Sequence, residues 1–253
     1  ALTDFELVLT INKLPVLNGI IDTLLIQYSG IIARELNQTE RAIAHYKELA
    51  AVDNQHNTYL LIKEEYLKLK DTMNAITTME EAFSKYSDSL NVVANLVDLY
   101  IRTNKIQEGL TTIESTINKN PDKGEFYYWK GRLQLNTTDD DRITKALASY
   151  DIAIAKNPGL YYAYYDIGFI YFLQGQDLFE RAGLEKDKLL REEMIAIGME
   201  DYHKSLPNLE KALELNLTNK EIKKETLDTL KRVYYKLQMT EKYDEATEML
   251  KNL

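Results

Sequence analysis

One spacing constrains this chain more than any other feature. A small residue is followed four positions later by a tyrosine or large apolar residue, and three after that by a small or apolar one. The pattern recurs at Ala42/Tyr46/Leu49, Ala75/Met79/Ala82, Gly109/Ile113/Thr116, Ala146/Tyr150/Ala153, Ser205/Leu209/Ala212 and Ala246/Leu250/Leu253. The leading residues of these triplets are 33, 34, 37, 59 and 41 positions apart. Offsets of three and four put each triplet on one face of a helix. Upstream of each triplet lies another amphipathic segment, clearest at Tyr164/Ile167/Gly168/Tyr171. Each unit is therefore a helical hairpin. One hairpin cannot bury both its faces, but stacked hairpins can, so the spacing specifies a solenoid rather than a single closed core.

Composition enters where it excludes alternatives. Only 10 glycines and 4 prolines punctuate 253 residues. A sheet of many short strands needs more turn residues than that, so the expectation is all-α. Net charge is −9, from 31 basic and 40 acidic side chains. That balance works against non-specific binding to nucleic acid or anionic lipid, which need a basic footprint. Cysteine is absent, which excludes disulfides, thiolate metal sites and cysteine nucleophiles. The longest apolar stretch, 157–175, is interrupted by Asp166 and several tyrosines. It falls short of the roughly 18 apolar residues a membrane span needs. No nucleic-acid partner and no membrane span are expected. Residue 1 is alanine, which reads as a processed or trimmed chain.

That stretch, NPGLYYAYYDIGFIYFLQG, is the best-formed first helix of a unit. Asn157-Pro158-Gly159 breaks the preceding helix. Gly168 sits mid-helix, where glycine costs about 1 kcal/mol against alanine, so a second helix is expected to press close there. The run Tyr164-x2-Ile167-Gly168-x2-Tyr171, with Ala146-x3-Tyr150-x2-Ala153 and Pro158 in the unit before it, resembles the tetratricopeptide repeat (TPR). That family's outline is W-x2-L-G-x2-Y, then A-x3-F, then P, over 34 residues.

The resemblance implies a right-handed α-solenoid of about six TPR-like helical hairpins, with one elongated hairpin near the C-terminus. It divides a single 1–253 domain into a half-repeat or cap at 1–22 and units at 23–55, 56–89, 90–123, 124–160, 161–217 and 218–253. The fifth unit carries an insertion at 176–204. Helix A of that unit is expected to run past Gly175, turn near Glu185–Lys188 and return through Glu214, with a kink at Pro207. Residues 206–215 and 237–243 also look like TPR proteins of Bacteroidetes with an enlarged penultimate repeat. That likeness implies export to the periplasm; the alternative is the cytoplasm.

Local signals set the ends of elements. Thr3/Glu6 and Thr218/Glu221 have the spacing of capping boxes. Pro15 is expected to end or kink the first helix. An alternating strand over Phe5–Ile11 is the other reading of that segment. Asn136–Arg142, NTTDDDR, reads as a solvated turn whose last aspartate caps the next helix.

No catalytic constellation stands out. His45, His56 and His203 lack metal-ligand spacing, and no Gly-rich phosphate loop or Gly-x-Ser-x-Gly elbow occurs. Glu64–Glu65, Glu80–Glu81 and Glu192–Glu193 read as solvated helix faces. The expectation is therefore no enzyme, no cofactor and no metal. What remains is a surface. In the resembled family, defined helix A positions line the inner face. They correspond here to Tyr128 and Arg132 in unit four, Tyr162, Tyr165, Phe169 and Phe172 in unit five, and Tyr235 in unit six. Tyrosine and phenylalanine give large contact areas at low entropy cost. The expected function is a scaffold or adaptor that holds a peptide or partner helix in the concave groove. The alternative is a small-molecule or glycan-binding protein that stacks its ligand on the same wall. Whether the inserted hairpin packs onto these aromatics is left open by the sequence.

Overall fold

The computed structural model describes residues 1–14, 21–216 and 218–253, so Pro15 lies outside the described residues. Among the described residues there are thirteen α-helices and no strand. They are α1 (Leu2–Asn12), α2 (Thr23–Glu35), α3 (Thr39–Ala50), α4 (His56–Lys68), α5 (Thr72–Lys85), α6 (Leu90–Arg102), α7 (Ile106–Lys119), α8 (Gly124–Leu135), α9 (Arg142–Lys156), α10 (Tyr161–Leu184), α11 (Lys188–Leu215), α12 (Lys220–Lys236) and α13 (Thr240–Lys251). The chain forms two compact units, Ala1–Thr116 and Ile117–Leu253. From α1 to α6 in the first unit and from α8 to α13 in the second, each helix packs on the next, which is the nearest-neighbour architecture of an α-solenoid.

In the first unit the repeating triplets are the core. Ala42, Tyr46 and Leu49 of α3, and Ala75, Met79 and Ala82 of α5, are all buried. Burying the larger of these, such as Leu49 and Met79, stabilises a domain by roughly 1.5–3 kcal/mol each. Gly30 of α2 faces Tyr46 so closely that an added Cβ would stand 2.5 Å from its ring. The small residue of one helix thus receives the tyrosine of the next.

Two polar expectations fail here. The segment around Phe5 is helical, not a strand, and α1 starts at Leu2 with no side-chain cap. Glu6 leaves the backbone because it has better partners on α3. It accepts from Arg41 Nε at 3.0 Å and lies 2.9 Å from His45 Nε2. A carboxylate gains more from a charged guanidinium than from a neutral backbone N–H. The pair Glu64–Glu65 is not uniformly solvated. Glu65 is fully buried, 3.1 Å from Arg34 Nε and 2.6 Å from Lys68 Nζ. A buried carboxylate needs such partners.

The turns inside hairpins share one conformation. Asn37, Lys70 and Asn104 all adopt positive φ, at 56°, 60° and 57°, and Gln238 does so at 58° in the second unit. In each case the next residue's N–H bonds a carbonyl five residues back: Gln38 to Ala33, Asp71 to Tyr66, Lys105 to Tyr100 and Met239 to Tyr234. This is the Schellman closure, which satisfies carbonyls left over at a helix end.

The second unit departs from this geometry twice. Between α8 and α9 the NTTDDD turn intervenes. Asp141 precedes α9 but makes no side-chain cap bond. Instead Asp139 and Asp141 both hold Lys145, at 2.8 and 2.9 Å. Between α10 and α11 lies the elongated hairpin, of 24 and 28 residues. It crosses most closely where small residues face each other. A Cβ on Gly168 would stand 2.7 Å from Leu209, and one on Gly175 would stand 2.9 Å from the Gly198 carbonyl. The buried Ser205 hydroxyl donates to the Gly168 carbonyl at 2.7 Å. α11 continues through Pro207. The start of α12 is capped by Asn219, which accepts from the Ile222 N–H at 3.1 Å. It is not capped by the expected Thr218/Glu221 box, because Asn219 stands one residue closer to the first turn.

Candidate functional site

α10 carries most of the expected contact residues, and its aromatics fall into two series of rings. In the first, Tyr128 of α8 meets Tyr150 of α9 at 5.6 Å between centroids and Tyr162 at 4.4 Å. Trp129 stands edge-on to Tyr128 at 5.0 Å. In the second, Tyr165 stacks on Phe169 at 5.6 Å, and Phe169 on Phe172 at 6.1 Å. Tyr202 of α11 then meets both Phe172, at 6.0 Å, and Phe179, at 5.5 Å. Such separations and tilts are those aromatic pairs favour.

Packing sorts the seven expected residues. Tyr128 and Phe172 are buried, and nearly all their surface is spent on neighbouring side chains. Arg132, Tyr162, Tyr165 and Phe169 are partly buried. Tyr235 is 71% exposed. The returning helix α11 covers Phe172 through Tyr202. α12 reaches Tyr165, whose hydroxyl donates to Glu225 at 3.4 Å. Tyr235 approaches Tyr243 of α13 at 6.3 Å.

Between the two ring series sits Asp166, which the sequence shows only as an interruption in an apolar run. The residue keeps some exposed surface, but its carboxylate is enclosed by Tyr128, Tyr150 and Arg132. Desolvation pushes its pKa up to about 6, against the pull of Arg132 and of the two hydroxyls toward the charged form. Burial likewise pushes the Tyr128 and Tyr150 hydroxyls well above the ordinary tyrosine value. Tyr150 is fully buried, and its hydroxyl has no hydrogen-bond partner among the described residues. It acts on Asp166 through proximity rather than a bond. Arg132 also stands over the Trp129 ring at 5.6 Å, a cation–π arrangement.

A cavity of about 610 Å³ opens beside the second ring series. Phe172, Phe179, Tyr202, Tyr235 and Tyr243 supply its rings, and Lys231, Arg232 and Lys236 of α12 supply its charge. Lys236 Nζ lies 4.8 Å from the Phe179 centroid, and Lys231 Nζ lies 5.8 Å from that of Tyr243. The sequence signal for this cluster is local. α12 holds six basic residues and three acidic ones, in a chain whose net charge is −9. Among the described residues no group of His, Cys, Asp and Glu side chains is arranged to hold a metal ion, and no helix is long and apolar enough to cross a membrane.

No family model matches the chain, and no curated protein matches it by sequence. Solved structures do match in fold. A monomeric mutant of IFIT1 with Gppp-AAAA is 16% identical over 98% of this chain, with a TM-score of 0.57. The match takes in 55% of that protein's chain, so this chain spans about half its length. A MamA protein is 19% identical, over 78% of this chain and 97% of its own, with a TM-score of 0.48. YrrB, described as a TPR protein with an unusual peptide-binding site, is 16% identical over 88% of this chain and 97% of its own, with a TM-score of 0.45. At these identities the likeness concerns the fold alone, a solenoid of α-helical hairpins.

Proposed function

We propose that the chain is a non-enzymatic interaction scaffold that docks a peptide or partner helix on the aromatic wall of its second unit. One observation carries this reading. Tyr235, a large aromatic left 71% exposed, stands at a cavity whose other rings are packed. Exposed aromatics beside a recess are the usual anchors of a protein interface. Tyr165 and Phe169 stack toward Phe172, which lines that cavity, and Tyr162 reaches Tyr128 of α8, so the proposed wall runs along α10 toward Arg132. Tyr128 and Phe172 are its buried members. The non-enzymatic part of the reading rests on the sequence, which holds no recognisable catalytic motif. Periplasmic export rests on the resemblance of the last repeats, and fractionation of the source cells tests it.

The test is a peptide-display selection against the full chain. Selected peptides are expected to bind the wild type and to lose most of their affinity for Tyr235→Ala and Phe169→Ala. Circular dichroism of both variants checks that the helices persist. Selected peptides that bind wild type and both variants alike would refute the aromatic wall. A glycan that raises the melting temperature where no peptide does would favour the small-molecule alternative.

A further inference from the structure

The sign of the charge around the cavity points beyond docking in general. The chain is acidic overall, yet Lys231, Arg232 and Lys236 all line one recess, against a single acid, Glu180. Glu180 already accepts from the Gln176 amide at 2.9 Å. None of the three cations has a carboxylate partner among the described residues. Elsewhere lysines pair readily, as Lys145 does with two aspartates and Lys242 does with Glu210. The three cavity cations stand instead beside aromatic rings or open to solvent. The floor is apolar, built of Phe172, Phe179 and Tyr202. A ligand that complements both features needs carboxylates at the rim and a large apolar group in the recess.

We infer that this cavity binds a short acidic peptide segment of a partner protein. One large apolar or aromatic side chain of that segment enters between Phe179, Tyr202 and Tyr235. Flanking Asp or Glu side chains meet Lys231, Arg232 and Lys236. The inference rests on the docking function proposed above and adds the chemistry of the docked segment. The volume of about 610 Å³ lies within the range of ordinary ligand pockets, about 300–1,000 Å³, so one bulky side chain and its neighbours fit. Recognition then has an electrostatic part that sets on-rate and selectivity and an apolar part that holds the segment.

The experiment uses the full chain and three fluorescein-labelled probes: a peptide with one phenylalanine flanked on each side by Asp-Glu, the same peptide with Asn-Gln in place of Asp-Glu, and an oligoadenylate RNA. Fluorescence anisotropy is read at low and physiological salt. The acidic peptide is expected to bind at least about tenfold more tightly than its amide counterpart, and to weaken as salt rises. The double variant Lys231→Glu/Lys236→Glu is expected to lose at least about tenfold in affinity for it, with an unchanged circular dichroism spectrum. Both positions lie on the rim, so the variant leaves the core intact. Equal binding of the two peptides would overturn the acidic inference while leaving peptide docking in place. Binding of the RNA alone would overturn the inference and mark the cations as a phosphate site. If neither peptide binds, the inference fails, and the display selection decides separately whether docking survives.

Discussion

Replacing Asp166 with asparagine tests the electrostatics of the second unit with little change of shape. In the folded chain the Asp166 carboxyl has its pKa raised from 3.8 to about 6, mainly by desolvation. The sign follows from linkage. An acid whose folded pKa is raised holds its proton in the native state at pH values where the unfolded chain has lost it. The neutral form therefore favours folding below about pH 4, and that benefit is lost as pH rises through about 6. The gap between the two pKa values, at about 1.4 kcal/mol for each pH unit, amounts to about 3 kcal/mol. Most of it falls between about pH 4.5 and 7.5, where the change should be about 2 kcal/mol. Asp166→Asn removes this term while leaving Arg132 without its counter-charge, so the absolute stability at one pH is a poor readout. The difference between wild type and variant, followed across pH, is a good one. Trp129 is the single tryptophan, and it touches Tyr128 and Arg132. Its fluorescence in urea titrations at several pH values reports the second unit directly. Wild type should lose about 2 kcal/mol more than the variant on going from about pH 4.5 to 7.5. Parallel pH profiles for the two proteins would refute the enclosed-carboxylate account.

Two further predictions concern packing and turns. Lys70 holds φ at 60° in the Schellman turn, where a side chain costs roughly 1–2 kcal/mol that glycine does not. After allowance for glycine's greater entropy when unfolded, Lys70→Gly should raise stability by about 1 kcal/mol in urea unfolding followed by circular dichroism; a loss of stability would contradict the turn geometry. Gly131→Ala would place a Cβ 2.5 Å from the buried ring of Tyr150 and 3.1 Å from the Ala146 carbonyl. It should destabilise the second unit by about 1–3 kcal/mol, seen in the Trp129 signal, and a neutral effect would mean that α8 and α9 can move apart freely.

What the sequence made legible, and what it hid, follows from the range of each interaction. The repeating triplets are a nearest-neighbour code: Ala146, Tyr150 and Ala153 pack against the helix beside them, so their spacing alone exposed hairpin after hairpin. Gly168 was readable for the same reason, since a costly glycine inside a helix has few explanations besides a close neighbour, here Leu209. The caps were misread because polar side chains choose among several partners within reach. Glu6 had Arg41 and His45 available across 35 and 39 residues, which no local motif displays. Asp166 was hidden likewise, because the burial that raises its pKa comes from packing against Tyr128 and Arg132 of α8 and Tyr150 of α9. The turns carry the deepest regularity, and the triplets do not show it. Asn37, Lys70, Asn104 and Gln238 share a backbone conformation without sharing a residue type, so the chain enforces it through the hairpins they join rather than through glycine. Where that turn is missing, after α8 and after α10, the chain inserts residues. The longer of the two insertions supplies Phe179 and Tyr202, the rings that floor the cavity. The departure from the repeat is thus what builds the recess, and the cations of α12 face into it from the hairpin where the repeat resumes. A partner segment held in this recess would therefore be selected where the repeating code gives way.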